Sequence, residues 1–303
     1  FGLSYTTFSM KMMDFLEMAD AVTVTVSVRN TGDCAGKEVV QLYCEAPQGM
    51  LGKPARTLCA FAKTKLLAAG EEQLLTLTVR KDELASYDDS GVTGHPFCEV
   101  LEAGTYRFFL GGDVRSAGEI GTFTLMETQV TAQRTQALAP VVPFQRMKNC
   151  GGKLTWEDVP LRKYDLQQRV QAHLPESLPM TGNRGFRLCD VADGKISMAD
   201  FVAQMDENML CTLVRGEGMC SPKVTPGTAG AFGGLSPKLQ ALGIPAICCA
   251  DGPSGIRMDC GTQAFLLPSG TCLACTFNET LISDLYACLL YTSPSPRDRT
   301  RSR

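Results

Sequence analysis

A chain of 303 residues that is 44% hydrophobic and 20% charged has enough apolar side chain to build more than one core, which excludes a disordered polypeptide. Its formal net charge of -3, from 29 basic and 32 acidic side chains, offers no global positive field for phosphates, so no nucleic-acid partner is expected. No apolar run approaches the roughly 20 residues needed to cross a bilayer, so no membrane partner is expected either. The 14 cysteines are scattered singly through apolar contexts such as Ile247-Cys248-Cys249-Ala250, and not spaced as a secreted disulfide framework. They read as reduced, buried thiols, and the expected location is cytoplasmic.

In chain order, residues 20–126 read as all-β. Ala21 to Val28 alternates strictly between apolar and polar, the period of a strand with one buried face, and Asn30-Thr31-Gly32-Asp33 supplies turn chemistry. Residues 37–45, 73–80 and 105–110 are three further runs, the last set between Ala103-Gly104 and Gly111-Gly112. Short strands at such intervals indicate a β-sandwich. Across residues 127–196 the pattern is broken by Pro140, Pro143, Gly151, Gly152, Pro160, Pro175, Pro179 and Gly182, and reads as a linker.

Ser197 opens a helix, with Asp200 three residues on as in a capping box. Phe201, Val202 and Met205 form its apolar face, continued by Met209, Leu210 and Leu213 after a break near Asp206. Residues 215–237 read as a Gly- and Pro-rich loop, and Gly227 to Gly234 lacks the Lys-Ser/Thr ending of a phosphate loop. Ile244 to Ala250 is a short continuous apolar run, the pattern of a strand buried on both faces in a parallel sheet. It ends in Asp251-Gly252-Pro253, and a carboxylate at the C-terminal end of a barrel strand marks function. Residues 276–287 suggest another helix, capped by Asn278 or Thr276.

Two segments carry a family resemblance. Phe1-Gly2-Leu3-Ser4-Tyr5-Thr6-Thr7-Phe8 resembles the segment that leads from the α/β sandwich domain of family 3 glycoside hydrolases into their fibronectin type III-like domain. Gly243 to Arg257, with Phe265 to Asn278, resembles the first strand and loop of that family's (β/α)8 barrel. The resemblance implies a multidomain chain: 1–19 a junction, 20–126 a fibronectin type III-like β-sandwich, 127–196 a linker, and 197–287 the first, incomplete part of a TIM-type barrel. The sandwich precedes the barrel, which resembles the permuted branch of the family. Cys288 to Asp298 ends the resemblance abruptly and resembles a translated sequencing adapter, so 288–303 are expected to carry no function.

By the same resemblance the parent is a retaining exo-β-glycosidase of β-glucosidase type that releases terminal non-reducing β-D-glucosyl residues from a β-linked oligosaccharide or glucoside. Retention takes two carboxyl groups about 5 to 5.5 Å apart. The family's nucleophile Asp is expected beyond residue 287 and its acid/base Glu before residue 1, so no catalytic residue is assigned and the chain alone is expected to be inactive. Asp251 matches the family's Asp that binds sugar hydroxyls, a task suited to a carboxylate facing a vicinal diol; an Asp before Gly-Pro is also a turn former. Arg257 either contacts sugar or ion-pairs within the loop. Arg215 and Glu217 either approach the site or form a solvated loop pair.

No metal site and no cofactor are expected. Cys272 and Cys275 have zinc-like spacing, but no second such pair exists, and the nearest candidates are Cys248, Cys249 and Cys260. His95 and His173, the only histidines, stand near no nucleophile turn and are expected at the surface. The competing reading is a non-catalytic carbohydrate-binding or scaffolding protein, which exposed aromatic platforms would support; the one tryptophan, Trp156, falls in the linker. Oligomeric state is left open.

Overall fold

The computed structural model describes residues 4–136, 138–252, 254–258 and 263–292. The chain divides into two compact units, residues 1–172 and 173–303. Of the segments singled out above, Phe1, Gly2, Leu3, Pro253, Cys260 and residues 293–303 lie outside the described residues.

The first unit is built from β1 (Phe8–Glu17), β2 (Ala21–Asn30), β3 (Val39–Glu45), β4 (Thr57–Lys63), β5 (Glu72–Arg80), β6 (Ser86–Tyr87), β7 (Cys98–Leu101), β8 (Gly104–Gly111), β9 (Gly118–Leu125) and β10 (Gln129–Gln133). All pairings are antiparallel, in sheets ordered β1-β2-β5, β4-β3-β8-β9 and β10-β7-β6. Val22, Val24, Val26 and Val28 of β2 are fully buried and share one core with Val40, Leu42, Tyr106, Phe108 and Phe123 of the four-stranded sheet. Each such side chain contributes about 1.5–3 kcal/mol relative to exposure. The Tyr106 ring stacks on Phe123 at 4.6 Å, and its hydroxyl donates to the Glu102 carbonyl at 3.1 Å, a tyrosine corner that secures the start of β8.

Two expected boundaries are corrected. The sandwich begins at Phe8 and not at residue 20, because β1 pairs along its whole length with β2. Its alternation is hidden by a bulge at Met13, so the half-buried positions are Phe8, Met10, Met12 and then Phe15. Residues 127–196 are not a plain linker. β10 pairs with β7, and β11 (Gln145–Cys150) and β12 (Lys153–Asp158) form a hairpin, followed by α1 (Leu166–Ala172). Gly151 and Gly152, at φ of 58° and 82°, are the two-residue turn of that hairpin, the conformation only glycine adopts freely.

Polar contacts fasten the hairpin to the loops at one end of the sandwich. Arg146 donates to Asp89 and Glu157, Lys148 to Glu157 at 2.8 Å and to the Met50 carbonyl at 2.9 Å, and Asn149 to Gln48 and to the Lys53 carbonyl at 3.0 Å each. The receiving loop is held from below by an ion pair between Lys53 and Glu102, whose side chains are each only 6% exposed. The Lys53 ammonium also reaches the Pro47 carbonyl at 3.1 Å, and the Glu102 carboxylate accepts the Met50 amide at 2.6 Å. The neighbouring loop closes on Asp88, which is fully buried. Burial alone would raise that carboxyl. Hydrogen bonds from the Thr93 hydroxyl and amide, the Gly91 amide and the Ser90 hydroxyl outweigh it and hold the pKa down at about 2.

The second unit holds α2 (Leu188–Ala192), α3 (Met198–Ala203), α4 (Glu207–Arg215), β13 (Glu217–Gly218), β14 (Gly230–Gly233), α5 (Pro237–Ala241), β15 (Ala246–Cys249), α6 (Gly270–Ala274) and α7 (Glu279–Thr292). The expected caps form at Ser197, which accepts from the Asp200 amide at 3.0 Å, and at Asn278, which accepts from the Leu281 amide at 3.1 Å; the break expected near Asp206 is a further cap, with the Met209 amide donating to Asp206 at 2.8 Å. Phe201, Met205, Leu239 and Leu242 form a small core that Phe186, Leu188 and Val191, from the expected linker, help to close. Buried Gln204 bonds both the amide and the carbonyl of Phe186, which ties that stretch to the helices.

Two further expectations change here. The Gly-rich stretch after residue 215 is not one loop, since Gly230–Gly233 is the middle strand of an antiparallel sheet ordered β13-β14-β15. β15 is not a doubly buried parallel strand. It pairs antiparallel with β14 alone among the described residues, and Ala246, Ile247 and Cys249 are exposed. α7 runs across the expected boundary at 288 as far as Thr292.

Glu102→Ala strands the buried Lys53 ammonium and is expected to destabilise the first unit by about 3 kcal/mol in denaturant unfolding followed by circular dichroism. The Lys53→Met/Glu102→Leu pair, which leaves no orphan charge, should lose less. For Asp88 the folded pKa lies below the unfolded value. Its contribution, on the order of 2 kcal/mol, is therefore complete above about pH 4 and lost as pH falls through about 2. Asp88→Asn should flatten the pH dependence of unfolding in that window.

Candidate functional site

The apolar strand β15 delivers the chain into a tight loop that carries both candidate ligand residues. The Arg257 amide donates to the Asp251 carbonyl at 2.7 Å, the Gly255 amide to Gly252 at 3.2 Å, the Ile256 amide to Phe265 at 2.9 Å and the Leu267 amide to Ser254 at 2.9 Å. Main chain thus sets the shape of the loop, and buried Ile256 and Leu267 pin it. Gly252 and Gly255 sit at φ of 114° and 120°. A Cβ on Gly252 would fall 1.9 Å from the Gly255 carbonyl oxygen, and one on Gly255 would fall 2.6 Å from the Leu266 Cα, so neither position admits a side chain.

That scaffold turns the Asp251 and Arg257 side chains outward. They face each other across an isolated antiparallel bridge and form an ion pair at 3.6 Å, with exposures of 52% and 64%. A pair this exposed contributes on the order of 0–1 kcal/mol to folding. Its chemical capacity is greater: a carboxylate with a guanidinium at its side presents acceptors and donors together to a polyol.

Arg215 closes α4 and Glu217 opens β13, the outer strand of the same small sheet. Glu217 bonds Lys223 at 2.8 Å, and that hydrogen bond holds its carboxyl below the ordinary range. Lys223 is a partner the sequence reading passed over, because a charge six residues away across a Pro- and Gly-rich stretch gives no periodic signal. Cys272 and Cys275 are both exposed at α6, and Cys248 lies 3.2 Å from the Thr225 hydroxyl. Among the described residues no three His, Cys, Asp or Glu side chains come together as a metal site. His95 is half-buried in the loop before β7, and His173 is exposed.

Residues 38–114 match the fibronectin type III-like domain, within the sandwich. The chain is 55% identical to a β-glucosidase of Ruminococcus albus across 95% of its own length and 30% of that protein. It is 34% identical to β-glucosidase A of Butyrivibrio fibrisolvens across 93% of its length and 38% of that protein. Among solved structures, that of a β-glucosidase from Paenibacillus barengoltzii is 50% identical, with a TM-score of 0.89 over 94% of this chain and 32% of the other. The chain therefore spans about a third of the length of the relatives it matches, and over nearly all of its own length it is similar in sequence and in fold to β-glucosidases.

Proposed function

We propose that this chain is the fibronectin-like and early barrel portion of a family 3 glycoside hydrolase, a retaining exo-β-glucosidase in which the sandwich precedes the barrel. The observation that carries the reading is the 55% identity to a β-glucosidase across nearly the whole chain. In this reading residues 197–287 begin the (β/α)8 barrel, the protein works in the cytoplasm, and 288–303 add nothing to function. The nucleophile Asp and acid/base Glu come from the rest of the parent enzyme, and two carboxyl groups complete the chemistry without a cofactor.

Asp251 takes the role of sugar ligand. Its two carboxylate oxygens accept hydrogen bonds from adjacent hydroxyls of a terminal β-D-glucosyl residue, stronger than those a neutral acceptor makes. Arg257 positions that carboxylate through the 3.6 Å pair. The rigid main-chain loop supports this assignment, since a binding carboxylate works best on a frame that does not reorganise.

The test is the gene. Reading the source locus outward from both ends of this sequence should give a frame with an α/β domain upstream and further barrel strands downstream, and its product should hydrolyse p-nitrophenyl β-D-glucoside. In that product Asp251→Asn should lower kcat/KM about 100-fold with an unchanged circular dichroism spectrum. A frame that closes at both ends, or an inert product, would favour the carbohydrate-binding or scaffolding reading.

A further inference from the structure

The hairpin of β11 and β12 has two unlike faces. Arg146, Lys148 and Glu157 are half-buried on one face, where Glu157 pairs with both cations while Arg146 reaches Asp89 and Lys148 the Met50 carbonyl of the sandwich loops. Trp156 stands across from Met147 in the register, and both are exposed, Trp156 by 60%; Leu154, also exposed, lies two positions away on the same strand. Asp158 lies two residues along in the other direction, about 6.6 Å at the rise of a strand, and is paired in register with Gln145. The Gln145 amide donates to Asp158 at 3.1 Å, and both side chains are exposed.

We propose that this face is a glucan-binding platform, separate from the Asp251 loop, on which a β-linked glucosyl unit stacks against Trp156 while its rim hydroxyls bond Asp158 and Gln145. The proposal rests on the glycosidase reading for the class of sugar. Its chemistry is that of the ring itself: a β-linked glucosyl residue carries its substituents equatorially, so both faces present axial C–H groups and the hydroxyls project at the edge. A flat indole with a carboxylate and an amide one pyranose length away matches that distribution. The platform is pre-ordered, because the opposite face of the hairpin is fixed to the sandwich loops by Arg146 and Lys148. Met147, Leu154 and Trp156 together expose on the order of 400 Å², a normal functional patch, and about half of the roughly 800 Å² per partner that a stable protein interface buries. The area and the polar rim favour a sugar over a protein partner.

Trp156 is the only tryptophan of the chain, so its fluorescence reports this site alone. Titrating the full 303-residue chain with cellohexaose should give a saturable change in indole emission, absent with α-linked isomaltohexaose, and iodide should quench the free protein. Asp158→Ala should raise the apparent Kd several-fold, and Trp156→Ala should abolish retardation in a native gel containing barley β-glucan, both with unchanged circular dichroism spectra. A flat titration up to about 10 mM, a concentration that fills a millimolar site, overturns the proposal. Equal response to the α-linked sugar, or an indole shielded from iodide, overturns it too. A flat titration alongside β-glucoside hydrolysis by the complete gene product defeats the platform alone. Saturation alongside an inert gene product defeats the enzyme reading and leaves the platform standing.

Discussion

One buried carboxylate organises the end of the sandwich on which the hairpin sits. Glu102 meets the Lys53 ammonium and the Met50 amide with its side chain, while its carbonyl receives the Tyr106 hydroxyl. A buried ammonium without an acceptor is costly enough to remodel a loop, so the 47–54 segment is obliged to lie over Glu102. The same segment then offers the Gln48 amide oxygen and the Met50 and Lys53 carbonyls to Asn149 and Lys148. The orientation of the hairpin, and with it the exposure of Trp156, therefore descends from a charge buried at the edge of the core. Gly49 belongs to this arrangement, since a Cβ there would lie 2.2 Å from the Glu102 carboxylate.

The sandwich strands that the sequence makes legible are the regular ones. β2, β3, β5 and β8 follow an unbroken register, and each is foreshadowed by a run at 21–28, 37–45, 73–80 or 105–110. The strands that escape notice include β1, β4, β9 and β10, and each of them carries the extra residue of a bulge, at Met13, Cys59, Ile120 and Thr131. One inserted residue reverses the phase of a period-two pattern, so a strand of ten residues reads as two short fragments of opposite sense. These four strands also lie at sheet edges, where a bulge twists the free backbone away from foreign pairing. The irregularity that protects the edge thus hides it from a periodicity argument.

In the second unit, local chemistry is legible and pairing is not. Ser197, Asp206 and Asn278 cap the helices that follow them, because a cap depends on a side chain and an amide three residues away. Ile244 to Ala250 contains a strand, yet its apolar run says nothing about which partner it takes, and the structure pairs Ala246–Cys249 with glycine-rich β14. Gly234, just past that strand, explains the composition: a Cβ there would come 2.0 Å from the Ile244 carbonyl oxygen. Glycines that read as flexible loop serve to bring two backbones close. The expectation of buried thiols holds for few of the described cysteines: Cys44 and Cys98 are buried and Cys59 is half-buried, and burial pushes Cys44 and Cys59 up to about 12. Many other cysteines, Cys272 and Cys275 among them, are exposed, which a scattered apolar context does not disclose.

The Asp251 loop separates shape from chemistry. Its fold is written in main-chain bonds among Asp251, Gly252, Ser254, Gly255, Ile256, Phe265 and Leu267, and in two glycines that no other residue can replace. The Asp251 and Arg257 side chains meet in an exposed pair of small energetic weight. The exposed Asp251 carboxylate contrasts with that of Asp88, which is buried and consumed by amides and hydroxyls of its own loop. Both are aspartates opening turns, and sequence alone treats them alike. The difference lies in where the hydrogen-bond capacity goes: inward and fully used at Asp88, outward and toward solvent at Asp251.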